Sequence, residues 1–186
     1  MLVQLSVLKA QFELIHPFCD GNGRIGRMLV PLILYEKGLI GSPMFYISAY
    51  LELNRPVYYE RLLGVSRDGD WNGWITFFLH AIEEQAGENG KKAKAILDLY
   101  DEMKRTVPGV TRSQYAVAAI DALFGAPVFS SAEFYEQAAI PKVSGAKILK
   151  DLEENDIIQI LQRGAGRRAS MYAFPRLLAI TEGDRL

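Results

Sequence analysis

Cysteine is nearly missing: Cys19 is the only one in 186 residues, so no disulfide can close within the chain and stability must come from packing. That usage fits a reducing compartment and predicts a cytoplasmic location. Long apolar runs are missing too. The longest, Met28 to Tyr35, falls far short of the roughly 20 residues a membrane-crossing helix needs. The first residues carry no basic cluster and no small-residue cleavage site, so no secretory leader is read there and no membrane partner is expected. Charge of one sign is not in excess either: 21 Lys and Arg face 22 Asp and Glu. Residues 1–90 hold 7 basic and 10 acidic side chains, residues 91–111 hold 5 and 3, and residues 112–186 hold 9 and 9. Bulk attraction to nucleic acid is therefore excluded, and any such contact needs a local patch. Repeats and low-complexity tracts are absent. With 49% hydrophobic and 23% charged residues, the chain is an ordinary globular sequence, and disorder is excluded as its main state.

Helical spacing dominates the first two thirds. Leu2, Leu5, Leu8, Phe12 and Ile15 recur every three or four residues, predicting a helix with that face inward. Pro17 stops it near His16. A second apolar helix is predicted over 23–37, closed by Gly38 and kinked at Pro31, as the buried centre of a bundle. Ser48 is the expected cap of a short helix, and Pro56 opens another that reaches Val65. Helices over 72–84 and 91–105 are expected on either side of a break at Gly87-Glu88-Asn89-Gly90, and His80 on the first of them is assigned no function. Pro108-Gly109 marks a domain boundary, which divides the chain into 1–108 and 109–186. Three helices follow, over 113–124, from Ser130 or Ser131, and over 142–155, with Val143, Ala146, Leu149 and Leu152 facing in on the last. Strands are expected over 157–161 and 170–174. Three helices and a hairpin form a winged helix-turn-helix plan, so the fold class is mainly α, a helical bundle followed by a small α+β domain.

The chemistry concentrates in His16-Pro17-Phe18-Cys19-Asp20-Gly21-Asn22-Gly23-Arg24-Ile25-Gly26-Arg27. A Gly-Asn-Gly turn entering a helix aims backbone N–H groups at an anion, and the helix N-terminus adds partial positive charge. Arg24 and Arg27, three residues apart, share a helix face and offer fork-shaped donors that match phosphate oxygens. One carboxylate, Asp20, suits a Mg²⁺ whose other ligands are phosphates and water. His16 is a base that titrates near neutrality. Taken singly, each feature has an ordinary structural explanation; folding has no need of all of them within twelve residues. Cys19, beside Asp20, is read as packing and not as a nucleophile.

This stretch resembles the Fic family signature, His-Pro-Phe-x-Asp/Glu-Gly-Asn-Gly-Arg-x-x-Arg, at every defined position. The resemblance implies an all-helical core that moves AMP from ATP to a Ser, Thr or Tyr hydroxyl of a target protein. By position, His16 would take the hydroxyl proton and Asp20 would hold Mg²⁺. The Gly21-Asn22-Gly23 backbone and the Asn22 side chain would stabilise charge on the α-phosphate, with Gly26 also in the nucleotide-binding motif. Arg24 and Arg27 would bind the outer phosphates. Tyr58 and Tyr59 match a pair beside the nucleotide base. Family kinases carry lysine where this chain has Gly23, so AMP transfer is favoured over phosphate transfer. The tail resembles the winged helix of many bacterial Fic proteins.

Fic cores carry several helices ahead of the motif, whereas about fifteen residues precede His16 here, so a fragment or a shortened relative is expected. Its uncovered apolar faces predict exposed hydrophobic surface, a homodimer or poor solubility, unless another chain covers them. The family's inhibitory Ser/Thr-x-x-x-Glu-Gly/Asn pattern is not found before the motif. In the tail, Lys142, Lys147 and Lys150 on the third helix and Arg163, Arg167 and Arg168 in the hairpin loop are candidate DNA contacts, opposed by Asp151, Glu153, Glu154 and Asp156. Two readings stay open: an active AMP transferase using Mg²⁺ and ATP, or an inactive Fic remnant that binds DNA or protein through its tail.

Overall fold

The computed structural model describes residues 1–42, 45–165 and 168–182, and its chain forms two units, Met1–Lys91 and Lys92–Leu186. The first holds α1 (Leu2–Ile15), α2 (Asn22–Glu36), α3 (Ser48–Leu53), α4 (Arg55–Asp68) and the beginning of α5 (Trp71–Thr111). The second holds the remainder of α5, α6 (Ala116–Gly125), β1 (Val128–Ser130), α7 (Ser131–Gln137), α8 (Lys142–Glu154), β2 (Gln159–Gln162), β3 (Met171–Ala173) and α9 (Pro175–Glu182). The fold is mainly α with one small antiparallel sheet, as the patterning predicts. No described helix is long and apolar enough to cross a membrane.

In the first unit, α1 ends where His16 turns left-handed (φ 51°, ψ 57°) and its N–H donates to the Phe12 carbonyl at 3.1 Å. Pro17 denies the helix its next donor. Helices α1 and α2 pack together, and of the expected stripe Leu5 is fully inside and Phe12 partly so. Leu5, Ser6, Lys9 and Ala10 are buried, while Leu2, Leu8 and Ile15 are exposed. Small residues on the inner side, with Gly26 opposite, let the two backbones approach, and the indole of the fully buried Trp74 donates to the Ser6 carbonyl at 2.7 Å. Around Trp74 and Phe78 the core closes with Val30, Leu34, Ile47, Leu51 and Val65. The second helix is buried on one side only, since Met28, Leu32 and Tyr35 face outward. Pro56 lies in the first turn of α4, as expected, whereas Ser48 makes no capping hydrogen bond.

The expected break at Gly87–Gly90 does not occur, and α5 runs through it. Each interior glycine costs about 1 kcal/mol relative to alanine. Side-chain pairs across the stretch oppose that cost: Gln85 donates to Asn89 at 3.0 Å and Lys91 to Glu88 at 2.6 Å.

In the second unit Phe129, Phe134 and Phe174 form an aromatic centre joined by Leu123, Ile148 and Leu152. Leu99, Met103 and Val107 of α5, which the sequence reading assigns to the N-terminal domain, pack into this core. Ser130 caps α7 in a reciprocal box: its Oγ accepts from Glu133 N–H at 3.2 Å, and its own N–H donates to Glu133 Oε2 at 2.7 Å. The buried stripe of α8 is Gly145, Ile148, Leu149 and Leu152; Val143, expected inside, is 86% exposed. Gly145 sets this rotation, because a Cβ there would collide with the Tyr135 ring. The sheet order is β1-β3-β2, with Phe129 and Ile160 both opposite Tyr172 and an irregularity between Ile160 and Gln162. Strand β1 and helix α9 escape the sequence patterning; three residues are too few to show a period of two.

Candidate active site

The motif occupies the turn between α1 and α2. Gly21 is the N-cap of α2 at φ 82°, a conformation natural to glycine, and Ile25 N–H donates back to its carbonyl at 3.0 Å. The N–H groups of Asn22, Gly23 and Arg24 open the helix, where no intrahelical partner exists for them, and no side chain caps that end. This is an anion-ready terminus.

Asn22 departs from its expected place. It is buried, its Oδ1 accepts from Phe18 N–H at 3.0 Å, and its Nδ2 donates to the Phe18 carbonyl at 2.6 Å. The carboxamide is therefore the clamp that fixes the Phe18–Asn22 turn. Gly26 departs as well. It is buried against α1, where a Cβ would lie 2.6 Å from Glu13 Oε1 and 3.1 Å from Lys9 Nζ. It is a point of close contact between α1 and α2.

The two arginines follow the expected face. A Cβ at Gly21 would lie 3.6 Å from the Arg24 guanidinium, and one at Gly23 3.3 Å from that of Arg27, so both forks reach back over the Gly-Asn-Gly turn. Arg24 approaches Asp20 Oδ2 at 3.3 Å, with both side chains largely exposed (73% and 92%), so the pair holds little energy. Asp20 Oδ1 accepts from Gly21 N–H at 2.6 Å. His16 is exposed, with Nδ1 3.4 Å from the Glu13 carbonyl, which leaves Nε2 toward solvent. Histidine, carboxylate, helix terminus and two guanidiniums thus meet at one end of α2. Cys19 is exposed beside them and not packed as expected.

Two clefts of about 470 Å³ each adjoin this end, a size that suits a small ligand. Arg27 and Ser48 line both. One continues along Met28, Leu32, Phe45 and Ile47 and is apolar. The other is polar, walled by Glu52, Arg55, Tyr58 and Tyr59. The tyrosines differ in setting. Tyr59 is exposed, with the Arg55 guanidinium 5.7 Å from its ring centre. Tyr58 is half-buried against Trp74 and Phe77. Burial pushes its hydroxyl above the usual tyrosine range, and the nearby Glu13 carboxylate adds to that.

Lys9 and Glu13, to which sequence reasoning gave no role, lie directly beneath. Both are on α1 with Lys9 fully buried, and they form an ion pair. Lys9 Nζ is 3.3 Å from the Tyr58 hydroxyl. Burial lowers the Lys9 pKa, and the Glu13 carboxylate opposes that shift. The available signal was a lysine on the inward side of an apolar helix with a glutamate one turn on.

In the second unit, Lys142 and Lys147 are exposed on α8. Lys150 instead pairs with Glu154 at 3.6 Å, and Arg163 with Glu153 at 3.5 Å. Arg168 lines a separate cleft with Lys142 and Tyr135, while Arg167 lies outside the described residues.

Residues 1–34 match the model of the Fic/DOC family, a span that contains the whole motif and ends inside α2. A probable protein adenylyltransferase of Aquifex aeolicus (strain VF5) is 66% identical over 45 residues, covering 22% of this chain and 14% of that protein. The likeness to the Fic/DOC family is carried by residues 1–34, and the matched stretch spans about a seventh of that relative's length. Tyr58, Tyr59 and the whole second unit lie outside the family match.

Proposed function

We propose that the first unit transfers AMP from ATP to a hydroxyl of a target protein. The observation that carries this is the convergence of the α2 N-terminus, the Arg24 and Arg27 guanidiniums and an exposed His16 on one turn. Backbone N–H groups at Asn22 and Gly23 would stabilise charge growing on the α-phosphate. Arg24 and Arg27 would hold the outer phosphates. His16 Nε2 would accept the proton of the incoming hydroxyl. The polar cleft with Tyr58 and Tyr59 would take the adenosine, whose flat base suits an aromatic wall.

A divalent cation fits this donor set in one way. Among the described residues no three His, Cys, Asp or Glu side chains cluster at metal-binding geometry, so a protein-only cage is not built. Asp20 offers one exposed carboxylate beside the anion site, which suits Mg²⁺ arriving with the phosphates. There it would neutralise phosphate charge, and Arg24 would exchange its Asp20 partner for a phosphate oxygen.

ATP labelled on the α-phosphorus tests the reading. Label should pass to protein from α-labelled and not from γ-labelled ATP, and His16→Ala should abolish it. Label from the γ-position alone would make the site a kinase. Nucleotide binding with no transfer to any offered protein would support the inactive-remnant reading.

For the second unit we propose a winged helix that contacts duplex DNA. The element order, the three-stranded sheet and the two exposed lysines, which have no ion pair among the described residues, support it. Binding should fall steeply with salt and weaken in Lys142→Ala and Lys147→Ala. Salt-insensitive binding would point to a protein partner. The exposed Leu8, Ile15, Met28 and Leu32 support a homodimer, which sedimentation would read as twice the chain mass.

A further inference from the structure

A lysine and a glutamate buried beneath an anion site need a reason. Removing an ammonium and a carboxylate from water is expensive, and an apolar pair of similar volume would fold as well or better. Lys9 and Glu13 are nonetheless placed against the backbone of α2 at Gly26, one residue before Arg27. The Tyr58 hydroxyl, 3.3 Å from Lys9 Nζ, joins them to the polar cleft that Arg27 lines. The Lys9 ammonium also lies 5.6 Å from the Tyr58 ring centre, which fixes its direction.

Arg27 and Arg24 differ in one respect. Arg24 has a carboxylate partner in Asp20. Arg27 has no ion pair and no hydrogen bond among the described residues, although the Glu13 carboxylate lies beside its neighbour Gly26. Glu13 and Arg27 both act electrostatically on Lys9 and on Tyr58, and it is Lys9 that pairs with the carboxylate.

We propose that Lys9 is a positioning residue that sequesters the Glu13 carboxylate against α2, so that the Arg27 guanidinium stays free for an anionic ligand in the adjoining cleft. The proposal rests on the triphosphate reading of that site. Without Lys9, Glu13 would be left buried without a cation and would draw the Arg27 guanidinium, closing the site from beneath. Gly26 is the structural requirement of the arrangement, because any side chain there would displace the pair.

The test is calorimetric titration of the intact chain with Mg-ATP. Lys9→Met should weaken binding roughly tenfold to a hundredfold, the range of one lost charge-assisted hydrogen bond. Glu13→Gln alone should bind close to wild type. The double change Lys9→Met with Glu13→Gln should restore binding, because no carboxylate remains to capture Arg27. Lys9→Leu, which likewise removes the donor, repeats the test should the methionine variant fold poorly, and circular dichroism reports folding for each. Rescue is the deciding readout, since a merely structural lysine would leave the double variant as weak as the single. Wild-type binding with an undiminished single variant, or a double variant that stays weak, overturns the proposal alone. A wild-type chain that binds no Mg-ATP overturns the functional reading and this proposal together.

Discussion

The two units are built under different constraints. The second closes an aromatic core, caps α7 through Ser130 and Glu133, and has Thr111 as its fully buried polar side chain among the described residues. The first buries Ser6, Lys9 and Asn22 and leaves apolar side chains of α1 and α2 exposed. A unit that only had to fold would avoid that distribution, because buried polar groups and exposed apolar ones both cost stability. Of these buried polar groups, Asn22 clamps the turn that carries the motif and Lys9 lies against α2 at Gly26.

That contrast can be broken experimentally, and the largest expected effect is chemical. His16→Ala should lower AMP transfer by roughly 10²–10⁴-fold while Mg-ATP affinity stays near wild type. Equal transfer would remove the imidazole from the chemistry. Next is a core deletion in the second unit. Phe134→Ala should destabilise that unit by about 3–5 kcal/mol, read by denaturant unfolding, and leave Mg-ATP binding by the first unit intact. Loss of binding in that variant would show that the units are not separate in function. Gly26→Ala should cost about 1–3 kcal/mol through overpacking and weaken nucleotide binding with it, because the added methyl meets the Lys9–Glu13 pair.

The smallest effect is a capping one. Ser130→Ala should cost about 1 kcal/mol in the second unit with no change in nucleotide binding. It should also flatten the acid limb of stability. The Ser130 backbone N–H and hydroxyl hold the Glu133 carboxyl below its ordinary 4.5, and Arg176 does the same for Glu102. Groups lowered in the folded state contribute stability that is present above their ordinary pKa and lost as pH falls through the folded one. Stability of the second unit should therefore decline below pH 4.5, read by thermal melts, and decline less in Ser130→Ala.

Much of this architecture is visible in the residue order, and the failures have physical causes. The motif, the Pro17 stop, the Gly38 end of α2 and the Pro56 start of α4 are local signals, and local signals survive folding. The facing of α1 survives only at Leu5 and in part at Phe12, because the helix rotates to bury Ser6, Lys9 and Ala10 in place of the expected Leu2, Leu8 and Ile15, and only the partner helix decides that rotation. Val143 fails on α8 for the same reason, with Tyr135 on Gly145 deciding the rotation. Gly87 and Gly90 mark a break by propensity, but the side-chain pairs that oppose it are too weak to be read in advance. In the site, residue types announce Asp20, Arg24 and Arg27. The Asn22 clamp and the Lys9–Glu13 pair depend on contacts between separate elements, which no spacing rule foresees.

A structure of the intact chain with a non-hydrolysable Mg-ATP analogue tests the central claim most directly. The account predicts triphosphate density over the Asn22 and Gly23 N–H groups, its outer phosphates on Arg24 and Arg27, and the His16 imidazole turned toward the innermost phosphorus. A triphosphate bound elsewhere, or an imidazole facing away from it, would contradict the account.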